Sequence, residues 1–333
     1  MKAAVIGAGY WGPNLIRNFL SLDEIDAVIA CDVDESRLAR MRKAFFGIET
    51  VNDVNEVLDR TDIDIVVIAA PVSTHFEFGK RALESGKHCF IEKPLTATSA
   101  EAEQLIELAG KKNLKLLVDH TFIYTGAVRK MKEIITSGHL GDIYYFDSVR
   151  VNLGLFQHDV NVIWDLAPHD LSIADYLLGK QPISVSAVGS CHVGNGLEDI
   201  AYLTLQYEND LIAHFHVNWL APVKIRKTVI GGTRSMIVYD DIETSEKVKV
   251  YDKGIDVTTR EGVYDRLVQY RTGDMLSPKL DQTEALAMAA RHFVDCILND
   301  KTPDTDGHSG LNVVRVLEAS GESIRQGGRA IKL

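Results

Sequence analysis

Up to about residue 120, apolar residues fall in short unbroken runs separated by longer amphipathic stretches. The runs are 3–6, 27–31, 65–70, 88–91 and 115–118, and the stretches with helical spacing are 13–20, 35–44, 55–58, 74–85 and 99–111. Runs that are apolar on both faces, alternating with helices, predict a parallel sheet covered on both sides. Ser99 followed by Glu101 and Glu103 reads as a capped helix start with acidic residues in its first turn.

Beyond a helical stretch at 126–137 the period changes to two. Segments 143–152, 183–193, 200–207, 211–219, 225–230 and 236–239 read as strands, and the short turns at 208–210 and 231–233 mark hairpins. They predict a mostly antiparallel sheet with one face on helices and the other exposed or in an oligomer interface. Residues 221–222 and 252–278 read as loops or an irregular insertion. Two amphipathic helices, 282–298 and 310–326, and a strand-like 330–333 close the chain. The expected fold is α/β: a doubly wound parallel sheet over 1–120, then an α+β domain over 121–333 with an open sheet, its C-terminal helix packing back near the first domain.

Composition narrows this picture without changing it. A chain of 333 residues suits two domains better than one core. A formal charge of -11 argues against nucleic-acid binding, and Lys224, Arg226 and Lys227 read as an exposed strand face. Cys31, Cys89, Cys191 and Cys296 are far apart and lack metal-ligand spacing, as expected of a reducing cytoplasm. There is no signal-peptide pattern and no apolar run of membrane-spanning length. No membrane partner and no metal are expected.

The candidate chemistry gathers at strand exits. Gly7-Ala8-Gly9-Tyr10-Trp11-Gly12 follows the first run as G-x-G-x-x-G, the turn that brings backbone and a helix N-terminus to a pyrophosphate. This makes the first domain a Rossmann-type dinucleotide fold. Asp32 follows the second run, about 20 residues after the last glycine, where a carboxylate accepts from ribose hydroxyls and repels a 2′-phosphate. Val33 supplies no cation and no arginine is evident nearby, so NAD is read over NADP. The third run exits through Ala70, Pro71 and His75, the fourth through Glu92-Lys93-Pro94, and the fifth through Asp119-His120. Tyr10 and Trp11 stand at the loop tip and either cap the first helix or line the cofactor or sugar path.

Trp164-Asp165-Leu166-Ala167-Pro168-His169-Asp170 reads as the opening of a helix to about Leu178, with Pro168 in its first turn and Asp165 four residues before His169. An imidazole beside a carboxylate suits acid–base work, while an Asp cap with a surface histidine is the plainer reading. His214 and His216 alternate along one strand and share a face.

Together these segments resemble the Gfo/Idh/MocA oxidoreductase family over nearly the whole chain. The resemblance implies a first domain that binds NAD(P) and a second that carries a sugar site and often the oligomer interface. It makes Lys93 the catalytic lysine, His169 the catalytic histidine and Asp165 its partner carboxylate. It places Gly7, Gly9, Tyr10, Trp11, Gly12, Asp32, Ala70, Pro71, His75, Glu92 and Lys93 about the cofactor. Lys93, Tyr124, Arg150, Asn152, Gln157, Asp165 and His169, with Asp170, become the sugar contacts. Many members have a glycine-rich run before D-x-x-x-H; here Asn161-Val162-Ile163-Trp164 stands instead. That and the segment from Asn152 to Gln157 look like a subgroup acting at C3 of nucleotide-activated sugars. The expected activity is NAD-dependent hydride transfer at a sugar carbon, in a homo-oligomer (dimer or tetramer) formed through the C-terminal sheet. The alternatives are a polyol or free-sugar dehydrogenase, an NAD-binding sugar sensor without turnover, and a hydrolase that uses NAD transiently.

Overall fold

The computed structural model describes the chain apart from 155–159, 194–195 and 259–266 and, in side chains, 255–258 and 267–270. Its described contacts divide it into two units, Met1–Tyr124 with Thr283–Arg315, and Thr125–Gln282 with Val316–Leu333.

In the first unit the chain alternates β1 (Lys2–Ile6), α1 (Gly12–Leu20), β2 (Ala27–Cys31), α2 (Glu35–Ala44), β3 (Glu49–Val51), α3 (Val54–Asp59), β4 (Ile65–Ile68), α4 (Val72–Glu84), β5 (His88–Glu92), α5 (Ser99–Lys112) and β6 (Leu116–Asp119). The six strands form one parallel sheet in the order β3-β2-β1-β4-β5-β6. The short β3 escapes the apolar pattern because two of its three residues face solvent at least in part. Thr98 caps α5 in a full capping box with Glu101, as the acidic first turn predicts. The first unit is not continuous in sequence. Phe90 of β5 meets Phe19 of α1 and a late phenylalanine, Phe293, edge to face at centroid distances of 5.6 and 5.7 Å. All three are fully buried, and truncating one to alanine costs about 3–5 kcal/mol. Arg17 adds a bidentate pair to Glu284. These contacts draw 283–315 to the first unit, whereas a division at residue 120 assigns them to the second.

The second unit begins with α6 (Gly126–Thr136), β7 (Ile143–Leu153), α7 (Val162–Leu178), β8 (Ser184–Ser190), β9 (Ile200–Gln206), β10 (Ile212–Asn218), β11 (Leu220–Gly232), β12 (Met236–Asp240), β13 (Val248–Thr258) and β14 (Leu267–Leu276). Then α8 (Ala285–Leu298) belongs to the first unit, α9 (Gly307–Arg325) runs from first to second, and β15 (Ile331–Lys332) ends the chain. The nine-stranded sheet has the order β14-β13-β12-β11-β7-β10-β9-β8-β15 and is antiparallel except between β7 and β10.

Two loop expectations are corrected. Of residues 252–278, those at 252–258 and 267–276 lie in the paired strands β13 and β14, with Tyr251 opposite Met275, while 259–266 lie outside the described residues. The two strands are rich in charged residues, which suits strands near a sheet edge and hides the apolar signal. Residues 221–222 lie inside β11, which pairs with β7 on either side of a register shift between Leu220 and Ile225.

Candidate active site

In the first unit the proposed cofactor residues share one edge of the sheet. Gly7 takes φ +102°, and a Cβ there would lie 2.3 Å from the Ala69 carbonyl oxygen; at Gly12 one would lie 2.0 Å from the Gly7 carbonyl oxygen. Gly9 differs: the nearest atom to an added Cβ is Arg37 Nη1 at 3.7 Å. Gly7 and Gly12 therefore build the turn, while Gly9 keeps a space beside it open, the cradle a pyrophosphate needs. The first turn of α1 has no side-chain cap and contains Pro13, and Trp11 is its N-cap residue. Tyr10 and Trp11 are exposed and touch edge to face.

Asp32 is buried and does two jobs. Its Oδ2 accepts from the Ala8 N–H at 2.8 Å and its Oδ1 from the Asp34 N–H at 2.9 Å, so the carboxylate fastens the glycine loop to the end of β2. Arg37 Nη1 also lies 3.3 Å from Oδ2. This corrects the expectation that no arginine stands nearby: Arg37 is five residues on, and the first turn of α2 brings it back over Asp32.

The exits of β4 and β5 are tied together by His75. Its Nδ1 lies 2.9 Å from the Pro94 carbonyl oxygen and its Nε2 2.9 Å from the Ala70 carbonyl oxygen. Two carbonyls are fully satisfied only by the doubly protonated ring, but burial is the larger effect and pushes the His75 pKa down. The ring is thus a strap that anchors the E-K-P turn. Pro71 is exposed at the start of α4, and the Lys93–Pro94 peptide is cis. Lys93 is half-buried, and its backbone N–H donates to Glu92 Oε2 at 3.2 Å.

Reasoning from sequence stopped short at β6. Asp119 pairs in register with Glu92 and accepts from Thr121 Oγ1 at 2.8 Å. Burial and the proximity of Asp119 raise the Glu92 pKa well above its usual range; burial raises that of Asp119 to about 6. His120, buried beside them, is pushed down to about 3 by burial and then by Lys93, so its ring is neutral. The D-H dipeptide at a strand end was the available signal. Tyr124, expected as a sugar contact, has its hydroxyl buried 3.0 Å from Thr305 Oγ1 in the first unit's core.

In the second unit Asp165 and His169 stand one turn apart on α7. The helix begins at Val162, capped by Asn161, whose side chain accepts from the Trp164 N–H at 3.1 Å. Pro168 therefore lies inside the helix, not in its first turn, and cannot donate to the Trp164 carbonyl. Asp165 Oδ2 accepts from Trp219 Nε1 at 3.0 Å. Trp219, buried between β10 and β11, was not singled out from sequence. A Cβ at Gly154 would lie 2.6 Å from its ring, which accounts for that glycine.

Arg150 and Asp170, expected as sugar contacts, pair with one another. Arg150 Nε and Nη2 donate to Asp170 Oδ2 and Oδ1 at 2.6 and 2.9 Å, both groups buried, so the pair ties β7 to α7 right after His169. Asn152 is half-buried on β7, and Gln157 lies outside the described residues. His214 meets Asp147 at 3.1 Å, and His216 stacks on Tyr202 at 4.4 Å. Among the described residues no group of three or more His, Cys, Asp or Glu is placed to hold a metal ion, and no helix is long and apolar enough to cross a membrane.

Comparison with known proteins agrees with both halves. Residues 1–120 match the oxidoreductase family with an NAD-binding Rossmann fold, and residues 128–238 match the GFO/IDH/MocA C-terminal domain. The chain is 24% identical to D-apiose dehydrogenase of Paraburkholderia graminis, covering 100% of this chain and 89% of that one. It is 26% identical to UDP-N-acetylglucosamine 3-dehydrogenase of Acidithiobacillus ferrooxidans, covering 94% of each. A solved structure of UDP-N-acetylglucosamine 3-dehydrogenase GnnA from Acidithiobacillus ferrooxidans has the same fold, with a TM-score of 0.79 at 24% identity over 98% of both chains.

Proposed function

This chain belongs to the Gfo/Idh/MocA family of NAD-binding oxidoreductases, and we propose that it oxidises or reduces C3 of the sugar in a nucleotide-activated sugar. Enzymes similar to it act on CH–OH groups of sugars and polyols. The observation that carries the reading is the construction around Lys93. A half-buried lysine leaves β5 at the same sheet edge as Gly7 and Asp32, on a turn fastened by the buried His75.

The bound nicotinamide supplies the hydride acceptor or donor. The glycine turn and Asp32 hold the cofactor's pyrophosphate and adenosine ribose. Lys93 of the first unit and His169 of the second are the two candidates for the proton-transfer group. In the oxidative direction one of them takes the hydroxyl proton as the C–H bond breaks, and in reduction it returns that proton. Asp165, held by Trp219, orients the His169 ring. Tyr10, Trp11, Ala70 and Pro71 border the cofactor, and Asn152 and Gln157 contact the sugar. The chain assembles with itself through the open face of the nine-stranded sheet.

The nucleotide-sugar reading is supported by the 94% mutual coverage with UDP-N-acetylglucosamine 3-dehydrogenase. A free-sugar substrate is the second reading, supported by the full-length match to D-apiose dehydrogenase. Thermal shift against UDP-sugars, dTDP-sugars, inositols and hexoses with NADH present separates them. A shift confined to hexoses or inositols removes the nucleotide from the proposal.

A further inference from the structure

The parallel register sets Glu92 and Asp119 side by side at the ends of β5 and β6. Both side chains are buried at these adjacent positions. Two ionised carboxylates repel and can only accept, so burying them side by side calls for a proton between them. The remaining contacts say where it lies. Asp119 Oδ1 accepts from Thr121, and Glu92 Oε2 accepts from the Lys93 N–H. Asp119 Oδ2 is buried and receives no N–H or O–H from the other described residues, which leaves it facing the shared proton. Lys93 acts electrostatically on both carboxyls. Of the neighbouring imidazoles, His120 is neutral, and His75 is tied to the Ala70 and Pro94 carbonyls.

We propose that Glu92 and Asp119 share one proton and act as a single negative charge that positions Lys93 for proton transfer, which rests on the role given to Lys93 above. With one proton the pair balances a lysine ammonium. Doubly ionised, it leaves a buried charge without compensation, which is costly.

The charge count is testable with isosteric amides. Glu92→Gln and Asp119→Asn each keep one carboxylate and one N–H donor, so each preserves the pair's single negative charge; the double variant removes it. Infrared difference spectra of the full-length protein at neutral pH are expected to show a protonated carboxyl C=O band that either single variant abolishes. The double variant is expected to lose about 100-fold or more in kcat/KM relative to either single variant, with recovery when either carboxyl is restored. Absence of the band in wild type, or a double variant that behaves like the singles, overturns the proposal. Should the double variant fail to fold, the band and the single variants decide. The infrared measurement needs no turnover, so a protein inert toward every sugar defeats the functional reading and leaves the shared proton standing.

Discussion

Arg37 Nη1 lies 3.3 Å from Asp32 Oδ2, so the carboxylate at the end of β2 has a half-exposed guanidinium at its side. Asp32 repels a 2′-phosphate, while Arg37 is the kind of group that binds one. Asp32→Ser removes the repulsion and keeps the cation. We expect the kcat/KM ratio of NADP to NAD to rise about tenfold or more, equivalent to about 1.4 kcal/mol. An unchanged ratio would show that this carboxylate does not set cofactor choice.

Trp219 Nε1 donates to Asp165 at 3.0 Å. Trp219→Phe keeps most of the ring volume and removes the donor. The expected result is a lower kcat with little change in KM, on the order of 1 kcal/mol, the usual worth of one such bond. A change in KM alone would argue that Trp219 shapes the sugar pocket instead of orienting Asp165.

Arg150 and Asp170 form a buried bidentate pair. Asp170→Ala strands a buried guanidinium and is expected to lower unfolding stability by about 3–5 kcal/mol. Denaturant titration checks this. Stability within error of wild type, with a raised KM, would restore both residues as sugar contacts.

Burial raises the pKa of Asp119 to about 6 and that of Glu92 well above its usual range. A raised carboxyl gives stability that is fully present below its unfolded pKa, near 4, and is lost as pH rises through the folded value. Glu92→Gln cannot lose a proton there. Its melting temperature relative to wild type should therefore improve as pH rises above about 6. Parallel melting curves from pH 5 to about 9 would contradict the raised values.

Much of the first unit was legible because its strands are apolar on both faces and its glycine turn has a fixed spacing. The E-K-P and D-L-A-P-H segments were legible as motifs. What sequence hid came from contacts between distant residues. Arg37 reaches Asp32 only once α2 forms. Arg150 reads as an available cation until β7 meets α7 and Asp170 accepts from its Nε and Nη2. Tyr124 reads as a sugar contact until Thr305 arrives from far along the chain. His75, expected beside the cofactor, has both ring nitrogens turned to backbone carbonyls. Charged strands near the sheet edge, such as β13 and β14, lack the apolar signature that identified β1 or β4.

The central claim is hydride transfer at C3 of a nucleotide-activated sugar, and isotope transfer tests it most directly. The protein is incubated with NAD and UDP-N-acetylglucosamine deuterated at C3, and the reduced cofactor is weighed by mass spectrometry. The account predicts NADH carrying one deuterium, with Lys93→Met slowing its formation by about 100-fold or more while still binding NADH. NADH that forms without deuterium, or full transfer by Lys93→Met, would contradict it.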